Sequence, residues 1–248
     1  MRRVTIRSAP RETADILREE ILSKESEGGE WLLGSEDDMI RMLGVSRPTL
    51  RQAARMLEQE QLLVVRRGIG GGLFGRRPTA EAVSHTASVF LRSQGATYKD
   101  LIGTQLILAT ECARMAAANP DRAARDALAH FYDSRAPENG RPKMSAIDFV
   151  KATVDFQRRL ADVAGSPALR LFVYVLMDLS EGSAPIARVY SDHDRQRLTF
   201  TRHQEIADAV AKGDPKLAAD LMRKHLEIIL NWVDASTRSE RLSPLRSR

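Results

Sequence analysis

EDDMIRMLGVSRPTLRQAARMLEQEQLLVVRRGIGGGLF, residues 36–74, is the stretch that decides the fold. Ser35 comes directly before it and can cap a short helix, which Gly44 ends. Ser46 can cap a second helix, and Pro48 is tolerated in the first turn of that helix. Two short helices joined by so few residues predict a helix-turn-helix.

Two short apolar runs follow the second helix and predict strands over 62–67 and 73–74. The residues between them include Gly68, Gly70, Gly71 and Gly72. Glycine lets the backbone turn tightly and approach a partner closely. The helix pair and this hairpin together predict a winged helix-turn-helix, a module that places its second helix in the major groove of DNA.

Arginines lie opposite the apolar side of the second predicted helix. Arg47 and Arg51 are one turn apart near its N-terminal end, the part that contacts base edges. An arginine can bind guanine O6 and N7 through two hydrogen bonds, whereas Arg76, after the wing, is expected to contact phosphate. The candidate DNA-binding residues are Ser46, Arg47, Thr49, Arg51, Gln52, Arg55, Arg66, Arg67 and Gly68.

The charge of the chain is concentrated in this stretch. The 248 residues carry a formal net charge of +5, whereas residues 41–77 alone hold eight arginines against two glutamates. A local excess of this kind is typical of a phosphate-binding face. Aromatic residues make up only 5% of the chain, which favours helices packed on helices over a β-sandwich.

Other classes of protein lack support in the sequence. There is no glycine-rich phosphate loop before a lysine, no nucleophile elbow and no telling carboxylate pair, so we expect no enzyme. The single Cys112 allows no disulfide within the chain, which fits a reducing cytoplasm. The longest apolar run, Leu171–Met177, is too short to span a membrane. We expect a cytoplasmic protein without membrane contact.

The fold class predicted for the whole chain is mainly α, with two domains. We expect a winged helix-turn-helix over 1–77, a linker helix over 78–96, an all-helical effector-binding and dimerisation domain over 97–236, and a flexible tail over 237–248. The predicted helices are 10–23, 80–93, 97–118, 121–134, 144–164, 167–179, 185–211 with a break near 190–192, and 214–236, with a loop at 137–142.

The motif LGVSRPTLRQAARMLEQEQLL resembles the reader helix of the GntR family of bacterial transcriptional regulators. The resemblance implies that Arg47, Thr49 and Arg51 contact bases and phosphates, and that Arg67-Gly68 is the wing contact. Family members usually carry Pro-Ser-Glu-Arg before the first helix of the motif, and that arginine touches DNA. Here the segment is Gly-Ser-Glu-Asp, residues 34–37. The acid at Asp37 implies a different operator sequence or affinity.

DLIGTQLILATECARMAAA, FQRRLADVAGSPAL and RHQEIADAVAKGDPKLAADLMRKHL resemble the helical FCD-type effector domain of the FadR subfamily. Many members hold a divalent metal with an Asp, a His four residues later and two further His. The resemblance places His203 and His225 at the two late positions, but Thr153 and Gln157 at the early ones. We therefore expect no bound metal and no required cofactor, with His203 and His225 as weak candidate ligands.

A second departure concerns the effector. Members often keep an Arg and a Glu in the first effector helix, where this chain has Gln105 and Ala109. This predicts a more neutral and wider pocket, suited to an acyl-CoA or an aromatic or lipid-derived metabolite rather than a small dicarboxylate. The candidate effector-binding residues are Gln105, Thr153, Gln157, His203 and His225.

The predicted function is that of a homodimeric repressor of a catabolic operon. It would bind a palindromic operator in double-stranded DNA and be released by a small-molecule effector. Two alternatives stay open: a constitutive DNA-binding regulator with a degenerate pocket, and a metal-dependent carboxylate sensor.

Overall fold

A computed structural model describes residues 9–24, 29–131, 144–237 and 240–244. The chain divides into two compact units, residues 1–82 and 83–248. The first is a winged helix-turn-helix and the second is entirely helical in its regular structure, so the predicted fold class is confirmed. No helix in the described ranges is long and apolar enough to cross a lipid bilayer.

The first unit packs three helices against a small sheet. The core is made mainly of aliphatic side chains from the helices, among them Leu17, Ile21, Leu50 and Leu57. Its elements are α1 (Ala9–Ser23), β1 (Glu30–Gly34), α2 (Glu36–Leu43), α3 (Arg47–Gln59), β2 (Leu63–Arg66) and β3 (Gly72–Arg76).

The helix ends in this unit follow the predicted signals. The Ser35 hydroxyl accepts a hydrogen bond from the Asp38 N–H at 3.2 Å, and the Ser46 hydroxyl accepts one from the Thr49 N–H at 3.3 Å. Gly44 ends α2 with a φ of 64°, which glycine adopts with little strain. The turn between α2 and α3 is therefore fixed by local chemistry.

The sheet contains a strand that the sequence did not predict. Its order is β1-β3-β2, all antiparallel, with β3 in the centre. β1 was missed because Glu30–Gly34 is short and follows a Gly-Gly pair that indicates a turn. Its pairing with β3 is non-local, which a local pattern does not reveal.

The second unit is a bundle whose longest helices pack on each other. α5 lies along α11, and Ala109, Ala113 and Ala116 are small buried side chains of α5. The helices are α4 (Ala80–Ser93), α5 (Tyr98–Ala118), α6 (Arg122–Ala129), α7 (Ala146–Val163), α8 (Pro167–Ser180), α9 (Ala184–Val189), α10 (His193–Lys212) and α11 (Pro215–Thr237).

The predicted break near 190–192 separates α9 from α10. The helix expected over 121–134 is α6 in its described part, whereas residues 132–134 and the loop expected at 137–142 lie outside the described residues. Most of the expected linker helix, as α4, belongs to the second unit, because the units divide between residues 82 and 83.

A buried polar network fastens α4 to the bundle. The Ser84 hydroxyl donates to Asp178 Oδ2 of α8 at 2.6 Å. Arg158 of α7 pairs with the other oxygen of Asp178 and with Glu181 at 2.9 Å. The three charged side chains are 15–23% exposed, so removing one partner would leave a partly buried charge unpaired and destabilise the fold.

Residues 240–244, part of the tail expected to be flexible, contact the helical unit. The Leu242 side chain is buried, and the Leu242 N–H donates to the Ala96 carbonyl at 3.0 Å. The Ser243 N–H donates to the Tyr98 hydroxyl at 3.3 Å. One apolar residue in a polar, basic segment gave no periodic signal, yet it is enough to dock the segment on the bundle.

Candidate functional site

The two faces of α3 are separated as predicted. Leu50, Ala53, Ala54 and Leu57 are buried against the other elements of the first unit. The opposite face carries Arg47, Arg51, Gln52 and Arg55, all exposed to solvent. This face is free of apolar side chains and rich in donors, which suits contact with nucleic acid.

Two of these arginines are paired with acids at the start of α2. Arg47 Nη2 lies 2.6 Å from Asp37 Oδ1, and Arg51 Nε lies 2.7 Å from Glu36 Oε1. The hydrogen bond from Arg51 holds the pKa of the Glu36 carboxyl below its usual range. Both guanidinium groups therefore have a carboxylate partner before DNA arrives.

The sequence prediction identified the arginines but not their partners. The paired residues are 10 and 15 positions apart, and the helix-turn-helix angle alone brings them together. An acid at the first turn of a helix is ordinarily explained by the helix dipole. The unusual Asp37 was the available signal, since it differs from the arginine of typical relatives.

The remaining predicted DNA-contacting residues on α3 differ in whether they already have a partner in the free protein. The hydroxyl oxygens of Ser46 and Thr49 lie 2.8 Å apart, so one hydroxyl donates to the other. Arg55 and Gln52 point to solvent. Within the part of the chain that the structure describes, Arg55 forms no ion pair.

The wing is a tight glycine turn between β2 and β3. The Gly71 N–H donates to the Gly68 carbonyl at 2.9 Å, and Gly68 and Gly70 have φ values of 90° and 76°. A Cβ on Gly71 would lie 2.5 Å from the Arg66 carbonyl oxygen. Ile69 stands at the tip, completely exposed, a feature that the sequence analysis did not single out.

The arginines around the wing differ in their partners. Arg66 and Arg67 are both exposed, and Arg66 also lies 4.5 Å above the Phe74 ring and pairs with Glu30 at 2.6 Å. Arg76 donates from Nε to the Gln61 carbonyl at 2.9 Å, and its contact with phosphate stays a prediction. A groove between α3 and the wing is lined by Arg51, Arg55, Arg66 and Arg67, among others.

The second unit contains a cavity near the middle of the bundle. All five predicted effector residues line it: Gln105 from α5, Thr153 and Gln157 from α7, His203 from α10 and His225 from α11. The structure adds residues that the sequence analysis missed. These include Met177 and Ser180 of α8, and Tyr190 after α9.

The two histidines of the cavity contact each other. His203 Nε2 and His225 Nε2 are 3.1 Å apart, so one nitrogen donates to the other. The His203 ring also stacks on Phe156, with ring centroids 4.2 Å apart. Burial lowers the pKa of His203 well below its usual value and that of His225 to about 3. Both rings are therefore neutral at pH 7.

The residues present do not fit a bound divalent metal. The Thr153 hydroxyl donates to the Val150 carbonyl at 2.7 Å, and the Gln157 amide nitrogen faces Met222 Sδ at 3.7 Å. Asp155 is about half exposed and turned toward Arg158. Among the described residues no three His, Cys, Asp or Glu side chains are grouped to hold a metal ion.

The cavity is smaller than expected. Its volume is about 40 Å³, whereas the sequence predicted a wide pocket. The reason is that Ile102, Met177, Leu226 and Ile229 fill the space between the polar side chains. The sequence correctly predicted a lining of uncharged residues, but the volume of the cavity depends on how the side chains pack.

Comparisons with known proteins agree with this architecture. The model of the FCD domain matches residues 100–228, more than half of the chain, and that of the bacterial regulatory proteins of the gntR family matches residues 10–72. The HTH-type transcriptional repressor NanR of Citrobacter rodentium is 26% identical over 232 residues, covering 91% of this chain and 85% of that protein.

Two further relatives extend the comparison. NanR of Escherichia coli K12 is 25% identical over 203 residues, covering 79% of this chain and 74% of that protein. The solved structure of Streptococcus agalactiae GntR superposes with a TM-score of 0.65 at 21% identity, covering 90% of this chain and 99% of that one. This likeness shows the fold.

Proposed function

The chain belongs to the GntR family of bacterial regulators with an FCD domain, and on that premise we propose that it is a ligand-responsive transcriptional repressor. The observation that carries the proposal is the groove between α3 and the wing. Arg51, Arg55 and Arg67 line it together with Arg66, which gives four arginines against the two acids Glu36 and Glu58. We place its action on DNA in the cytoplasm.

The proposed complex is a homodimer on a palindromic operator. Two copies related by a twofold axis present two α3 helices to two half-sites, so the symmetry of the protein matches that of the DNA. Light scattering is expected to give twice the 27.7 kDa of one chain.

Selection from a pool of random duplexes tests the DNA proposal without knowledge of the operator. We expect enrichment of an inverted repeat, with affinity that falls steeply as salt rises because bound arginines release counterions. Recovery of unenriched sequences only, or of a motif without twofold symmetry, would contradict it.

The input to the repressor is a small molecule in the cavity around His203, His225 and Gln157. A ligand that binds one geometry of the bundle more tightly shifts the population toward that geometry. The contracted volume of about 40 Å³ supports a small effector over the acyl-CoA or aromatic classes suggested by sequence. A catabolic operon remains the proposed target.

Two alternatives are separated by one assay. A constitutive regulator with a degenerate pocket would hold its operator in the presence of every small molecule tested, whereas the proposed repressor would release it for one class. A metal-dependent carboxylate sensor would need added divalent ion for that release. The incomplete donor set around His203 and His225 argues against the latter.

A further inference from the structure

The cavity in the helical unit has no charge to offer a ligand. Among the described residues that line it there is no Lys, Arg, Asp or Glu. Its two histidines are hydrogen-bonded to each other. Arg202 is close enough for its charge to act on His225, but it is not part of the lining and pairs with Glu205 at 2.6 Å. An ion enclosed here would therefore lose its hydration without contacting a lining residue of opposite charge, which is strongly unfavourable.

The cavity offers hydrogen-bond acceptors to an occupant, beside the amide of Gln105. Gln157 Oε1 is buried and has no hydrogen-bond partner among the described residues, and Gln157 is only 3% exposed. The hydroxyls of Thr153 and Ser180 donate to the Val150 and Leu176 carbonyls of their own helices. Each hydroxyl oxygen still has lone pairs that can accept.

A buried acceptor without a partner is costly to a fold. Leaving a polar group desolvated and unpaired destabilises the native state, so most such groups in proteins are satisfied. At Gln157 the amide nitrogen contacts only the Met222 sulfur at 3.7 Å, a weak acceptor. A donor brought by an occupant would therefore restore a hydrogen bond that the protein itself does not provide.

We propose that this cavity binds a small uncharged molecule that donates O–H or N–H to Gln157 Oε1, with Thr153 and Ser180 as further acceptors. The chemical class is a polyol or a primary amide of a few heavy atoms. A volume of about 40 Å³ holds roughly three water molecules, and the ligand would replace them. This inference rests on the proposed ligand-responsive function and names its ligand class.

Matched probe pairs that differ in charge test the inference on the full-length protein. Acetamide is compared with acetate and glycerol with glycerate by calorimetric titration into the millimolar range, because such small molecules make few contacts. We expect saturable binding of at least one neutral probe, at least tenfold tighter than its anionic counterpart.

Variants at Gln157 test whether the probes bind in the cavity. Gln157→Met keeps the size of the side chain and removes the acceptor, so it is expected to weaken the neutral probe at least tenfold. Gln157→Glu retains an acceptor and is expected to exclude the anionic probe further. Gln94→Leu, at an exposed position in the turn after α4, is the control and should leave probe affinity unchanged.

Three results would overturn the inference: equal or tighter binding of the anions, no saturable binding of either neutral probe, or a folded Gln157 variant that departs from its expectation. The last means undiminished binding of the neutral probe by Gln157→Met, or undiminished binding of the anionic probe by Gln157→Glu. Circular dichroism establishes the folding of each variant. Binding to the selected duplex, measured without any probe, tests the DNA proposal separately, so a failure there is distinguishable from a failure here.

Discussion

Asp37→Asn is expected to tighten the binding of DNA. In the free protein the Asp37 carboxylate pairs with Arg47, one of the two arginines at the start of the reader helix. DNA must compete with that carboxylate for the guanidinium and must also tolerate a negative charge near its phosphates. The asparagine removes the charge while preserving the shape of the side chain.

The expected size of the effect follows from the exposure of the pair. Arg47 and Asp37 side chains are 51% and 66% exposed, and such pairs contribute about 0–1 kcal/mol. Repulsion between the carboxylate and a phosphate adds ~0.8 kcal/mol at a separation of ~5 Å in water. The sum, about 1–2 kcal/mol, corresponds to roughly 5- to 30-fold tighter binding.

Fluorescence anisotropy with the selected duplex and a scrambled duplex measures this gain. We expect it on both sequences, with a larger gain at low salt because the charges are exposed. Asp126→Asn, which also removes an exposed acid paired with an arginine, lies in the helical unit and should change nothing. An unchanged or weaker affinity for Asp37→Asn would refute the reasoning.

Three further predictions concern the reader helix, the wing and the histidine pair. Arg51→Ala should weaken binding to the selected duplex by about 5- to 150-fold, the loss expected when a base contact of ~1–3 kcal/mol is removed, and should weaken binding to scrambled DNA far less. Equal losses on both duplexes would indicate a phosphate contact instead. Gly71→Ala should lower both thermal stability and DNA affinity, because its Cβ would lie 2.5 Å from the Arg66 carbonyl oxygen, whereas Gly103→Ala, in α5 with open space around it, should stabilise by about 0.5–1 kcal/mol. His203 and His225 are neutral when folded and gain protons on unfolding below pH 6.5, so stability should be full above that pH and fall by up to about 1.4 kcal/mol per pH unit for each histidine as the pH drops toward the folded values, about 3 for His225. Urea unfolding across this pH range should show the fall in stability for His85→Gln, a control at an exposed position. The variant carrying both His203→Gln and His225→Gln should lack that fall.

Local signals made most of the fold predictable. Ser35, Gly44 and Ser46 fix the turn of the helix-turn-helix through contacts within a few residues, and these are visible in sequence. The two faces of α3 were equally clear, since apolar residues recur there at helical spacing. The resemblance to a known family brought the five cavity residues together, which periodicity alone does not do.

The features that could not be predicted depend on long-range packing. β1 forms because β3 offers it an edge, and residues 240–244 are ordered because Leu242 meets the bundle. The Glu36–Arg51 pair depends on the angle between two helices. The cavity volume depends on how apolar side chains from five helices, α5, α7, α8, α9 and α11, pack together, and the residue types alone do not reveal that.

The network that fastens α4 shares its helices with the cavity. On α8, Met177 and Ser180 face the cavity, whereas Asp178, between them in sequence, holds Ser84. On α7, Gln157 faces the cavity and the next residue, Arg158, holds Asp178. The residues that would contact an occupant and the residues that hold Ser84 therefore alternate along the same two helices. A displacement of α8 by an occupant would act on the hydrogen bond between Asp178 and Ser84, the point at which α8 holds α4.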